Sequence, residues 1–98
     1  MNNAPRPLAL AATVPAITCE EMHAQDAYWT RLAFRAGWAL GNHGAVKGRE
    51  AARQATRLMR ELDRSLCQCL NGVTRLEAVE YFDAIVESGR RGELTHAA

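Results

Sequence analysis

A small all-α domain of three helices is the fold class this sequence predicts. Apolar residues recur at three- and four-residue spacing along three segments, and nothing alternates for long enough to make a strand. Glycine- and asparagine-containing breaks separate those segments. The 98 residues leave room for one core. Short connections favour helices two and three as an antiparallel hairpin, with helix one packed across it. The expected organisation is a flexible arm over 1–17, the three-helix domain over 18–89 and a frayed tail over 90–98.

Helix one is expected from Thr18 to about Leu40. Thr18 and Glu21 fit a capping box, in which each side chain satisfies a backbone N–H near the other. The turn Gly41-Asn42-His43-Gly44 stops it. Helix two should run from Val46, or from nearer Arg49 because Gly48 weakens the first turn, to Leu70 before Asn71-Gly72. Helix three has a second capping box in Thr74 and Glu77, and Gly89 suits the residue just past its end.

Before helix one, the apolar run from Leu8 to Val14 is at the short limit for a secretory signal, with the single cation Arg6 ahead of it. Ala16-Ile17-Thr18 before Cys19 matches a lipobox poorly, so a flexible arm is the better reading. No stretch approaches the ~20 apolar residues of a membrane span. Three cysteines without disulfide-framework spacing fit a reducing cytoplasmic home.

The faces of the helices carry the functional signal. On helix two, Ala55, Leu58, Met59, Leu62, Leu66, Cys69 and Leu70 share one side. Opposite them Arg49, Arg53, Arg57, Arg60 and Arg64 fall within about 80° of arc, a narrow cationic ridge with Glu50, Glu61 and Asp63 on its shoulders. Eleven of the twelve cations are arginine, which with abundant alanine also fits a GC-rich genome. Helix three has the opposite sign. Ala78, Val79, Phe82, Ile85 and Val86 form its buried stripe, and Glu77, Glu80, Asp83 and Glu87 line another side, with Tyr81 at the edge. The acidic side could therefore meet the ridge within one chain or between copies.

Helix one has more apolar surface than a hairpin can cover. Met22, Trp29, Leu32, Ala33, Ala36 and Leu40 make one stripe with Tyr28 beside it, while Ala27, Phe34 and Trp38 point elsewhere. Phe34 and Trp38 should touch as an i,i+4 pair. A second aromatic face has the character of an interface anchor. Either the arm or a second molecule would cover it.

Chemistry-bearing residues form no recognised constellation. Cys67 and Cys69 diverge by about 200° on a helix and cannot easily share a metal ion. His23, His43 and His96 are not clustered with them, and His43 suits an ordinary interhelical turn. Ser65 and Ser88 lie in no triad frame, and there is no phosphate-binding loop. No catalytic, metal or cofactor residue is expected. The net charge of +1 argues against a general polyanion binder. The sequence reads as a non-enzymatic, homodimeric protein-binding module with an acidic protein as a further possible partner. Small regulators, secretion-system chaperones and inhibitors carried by phages or mobile elements share that description. The alternative is a nucleic-acid binder that uses the ridge for phosphate contacts, although acidic helix three is unsuited to DNA.

Overall fold

The computed structural model describes the backbone of residues 19–93 and the side chains of residues 24–93. The arm, the Thr18–Glu21 capping box, the side chains of Met22 and His23, and residues 94–98 with His96 lie outside what it describes. Among the described residues there are three helices: α1 over Cys19–Leu40, α2 over Gly48–Cys69 and α3 over Gly72–Arg90. The domain is all-α, with no strand among the described residues. No described helix is long and apolar enough to cross a membrane.

The helix in the middle is α1, not the arginine-bearing α2. Along α1, Tyr28 and Trp29 contact Glu61 and Ser65 of α2, whereas Phe34 and Trp38 share a groove with Gln54 and Leu58. The partners run backwards, so α1 and α2 are antiparallel. On α3 they run forwards, from Phe82 beside Trp29 to Gly89 beside Phe34 and Trp38, so α1 and α3 are parallel. Helices α2 and α3 are thus oppositely directed, as in a hairpin, but they touch little. Their meeting place is near the link, where Leu66, Cys67, Arg75 and Val79 line a shared cleft.

This arrangement resolves the surplus apolar surface of α1. Trp29, Leu32, Ala33, Phe34, Ala36 and Ala39 are all buried. A helix packed on two sides needs two apolar faces, so neither the arm nor a second molecule is required to cover Phe34. Leu66, Leu70, Phe82 and Ile85 complete the core from α2 and α3. At its centre Trp29 meets Phe82 edge to face, ring centroids 5.9 Å apart, and its Nε1 donates to Ser65 Oγ at 2.8 Å. That pairing satisfies both buried polar groups.

Backbone contact between α1 and α3 is unusually close at two glycines. A Cβ built on Gly37 would lie 1.9 Å from the Val86 carbonyl oxygen. One on Gly89 would lie 2.6 Å from the Phe34 carbonyl oxygen and 2.9 Å from the Trp38 nitrogen. Only glycine permits that approach. Gly89 is therefore a buried helical residue and not the stop expected for helix three. The chain instead turns at Gly92, which has φ +79°. Arg90 to Glu93, expected to begin a frayed tail, close the helix: the Glu93 N–H donates to the Ser88 carbonyl at 3.0 Å, and Ser88 Oγ donates to the Glu93 carboxylate at 2.9 Å.

The Thr74–Glu77 capping box is likewise not formed. Leu70 is buried and anchors the link, leaving only Leu70 and Asn71 between helices, so α3 starts at Gly72 and Thr74 lies within its first turn. The other connection is the interhelical turn that Gly41-Asn42-His43-Gly44 suggested. Asn42 takes φ +60°, and its side-chain oxygen accepts from the Gly48 N–H at 2.6 Å. His43 packs on Trp38 with ring centroids 4.8 Å apart and donates from Nε2 to the Arg90 carbonyl at 2.8 Å. It ties this turn to the end of α3.

Candidate functional site

The ridge forms because α2 buries its other side. Ala51, Ala55, Leu62, Ser65 and Leu66 are the buried residues of α2. At 100° per residue their mean direction is about opposite that of the arginines. Arg49, Arg53, Arg57, Arg60 and Arg64 are all exposed as a result. Ala52 and Thr56 are small residues along one side of the row, and with Arg49, Arg53, Arg57 and Arg60 they line a shallow trough.

Two of the five guanidinium groups have carboxylate partners. Arg53 pairs with Glu50 at 3.2 Å, and Arg64 donates to Glu61. Tyr28 also donates to Glu61, at 2.9 Å. The hydrogen bond from Arg64, then that from Tyr28, holds the Glu61 carboxyl below the usual carboxylate range. The bond to Glu61 in turn raises the Tyr28 hydroxyl. Among the described residues, Arg49, Arg57 and Arg60 have no carboxylate within 4.0 Å.

No ion pair joins α2 to α3 among the described residues. Pairing of the ridge with the acidic side of helix three inside one chain is therefore not formed. The cause is geometric: α1 lies between the helices and both charged faces look away from it. Glu77, Glu80 and Asp83 are exposed, while Glu87 is held by Arg90 and Arg91. The hydrogen bond from Arg90 is the main cause of a lowered Glu87 carboxyl pKa.

The outer face of α3 also carries apolar groups that charge patterning alone did not single out. Val73, Leu76 and Tyr81 are 68%, 65% and 56% exposed. On a helical wheel Val73 and Leu76 fall inside the roughly 120° arc of Glu77, Glu80, Asp83 and Glu87, and Tyr81 flanks it. A wheel drawn for all the residues of the segment contains that signal. The structure makes it meaningful by showing that α1 leaves this face uncovered.

The chain matches no protein-family model, no curated protein and no solved structure. Its geometry alone carries the functional reading.

The aromatic face of α1 is drawn together only in part. Phe34 and Trp38 stack at 5.4 Å, as their spacing predicts, but Phe34 is buried and Trp38 half-buried, whereas Ala27 is exposed and apart from them. What remains open there is a small apolar groove lined by Phe34, Trp38, Ala39, Gly44, Val46 and Leu58. The cysteines point apart, as helical spacing requires. Cys67 is exposed with Arg75 Nη1 3.5 Å from its sulfur, while Cys69 packs on the core and burial raises its thiol pKa. Among the described residues no three His, Cys, Asp or Glu side chains converge as a metal site would require.

Proposed function

We propose that this chain is a non-enzymatic protein-binding module whose α2 ridge engages an acidic protein surface. One observation carries the reading: Arg49, Arg57 and Arg60 stand at helical spacing in water with no carboxylate partner among the described residues. Guanidinium groups so placed contribute selectivity and association rate, because a complementary acidic surface is favoured and a like-charged one is rejected. The trough between them accommodates a helical ridge of a partner. Free Cys67 and Cys69 suit work in a reducing compartment such as the cytoplasm.

Phosphate contact is the second reading, favoured by the same open row of arginines. Against it stand the +1 net charge and the exposed Glu77, Glu80 and Asp83, which would repel a nucleic acid that extended beyond the ridge. Cross-linked affinity capture from the native host, with wild type and an Arg53→Glu, Arg57→Glu variant, separates the two. Nuclease-resistant protein partners should be held by wild type and weakened by about tenfold or more in the variant. The same proteins on both baits, or capture that vanishes on nuclease treatment, would overturn the proposal.

A further inference from the structure

We infer that the α2 ridge of one copy of this chain seats on the outer face of α3 of the next copy. This inference rests on the protein-binding reading above and names a partner for it. The two faces are complementary in charge: exposed arginines on one, and exposed Glu77, Glu80 and Asp83 on the other. They also match in length, because Arg49 to Arg60 and Val73 to Asp83 each span about 15–17 Å of helix axis.

Apolar complementarity supports the same pairing. Val73 and Leu76 are exposed at the N-terminal end of the acidic row and Tyr81 beside it, giving that face apolar contacts next to its charges. The trough of the ridge has small Ala52 and Thr56 along one side, so a projecting Leu76 or Tyr81 could enter it beside the arginines. Arginine stems cover apolar surface readily, and a guanidinium over the Tyr81 ring adds a cation–π attraction.

Within one chain these faces cannot meet, because both look away from α1 and α2 touches α3 only near their link. The contact is therefore heterologous: each copy offers one ridge and one acidic face, on different sides. Assembly then extends beyond two copies or closes into a ring, and salt weakens it.

Complementation of neutral variants, followed by light scattering at low salt, tests this directly. Arg53→Gln, Arg57→Gln, Arg60→Gln removes one half of the contact and Glu77→Gln, Glu80→Gln, Asp83→Asn removes the other. All six positions are exposed, and circular dichroism checks that both proteins stay helical. Wild type should exceed the mass of one chain and grow with concentration. Each variant alone should be monomeric, and their mixture should give a one-to-one pair and nothing larger. A monomeric wild type, a variant that assembles as wild type does, or a mixture that fails to pair overturns the contact. If wild type is monomeric yet still captures a foreign protein through Arg53 and Arg57, only this contact falls; if capture fails too, the reading beneath it also falls.

Discussion

Trp29→Ala is expected to remove about 3–5 kcal/mol of folding stability. The total for a domain of this size is about 5–10 kcal/mol, so the variant loses about a third of it or more. Thermal unfolding followed by circular dichroism should show the melting temperature lowered by about 15–25 °C. The reason is position. Trp29 is 2% exposed and joins all three helices, with its ring against Phe82 of α3 and its Nε1–H on Ser65 of α2. Alanine is the better helix former, so the loss comes from packing and not from α1 itself. Trp29→Phe separates the contributions: it retains an aromatic ring for Phe82 and gives up the bond to Ser65. A smaller loss of about 1–2 kcal/mol is expected there. Equal stability of Trp29→Ala and wild type would contradict the placement of Trp29 at the junction.

Gly37→Ala should cost about 3 kcal/mol, although in an isolated helix alanine would stabilise by about 1 kcal/mol. The sign reverses because the new methyl would sit 1.9 Å from the Val86 carbonyl oxygen, a main-chain atom that cannot rotate away as a side chain could. Helices α1 and α3 would have to separate along their closest contact, loosening the packing around Phe34 and Ile85 as well. Urea unfolding should show the midpoint lowered, and Gly89→Ala should behave similarly from the other side of the interface. A Gly37→Ala protein more stable than wild type would show that α1 and α3 do not approach this closely.

These two positions also mark how far the sequence was legible. Helical period and breaks locate all three helices, and the apolar stripes of α2 and α3 are the faces that pack. The middle position of α1 was less accessible, because two apolar faces on one helix fit either a central helix or a binding helix. Composition cannot distinguish those, whereas contacts on both sides can. Glycine was ambiguous for a related reason. Gly89 follows a periodic apolar segment, as a helix-ending glycine does, yet it is kept for a close approach to a residue more than fifty positions away. The better clue was Gly37, an interior helical glycine whose cost implies a compensating contact. Thr74 and Glu77 have the spacing of a cap, but burial of Leu70 starts α3 earlier. Of the candidate site, the ridge itself was legible from spacing alone. Its separation from the acids of α3 and the exposed Leu76 and Val73 depend on where α1 lies.

The ridge is proposed as a protein-pairing surface and not a phosphate-binding one. A mobility-shift assay at about 100 mM salt tests it most directly, using micromolar wild-type protein with duplex DNA and with single-stranded RNA. No shift of either nucleic acid is predicted. A salt-sensitive shift that Arg53→Glu with Arg57→Glu abolishes would contradict the claim.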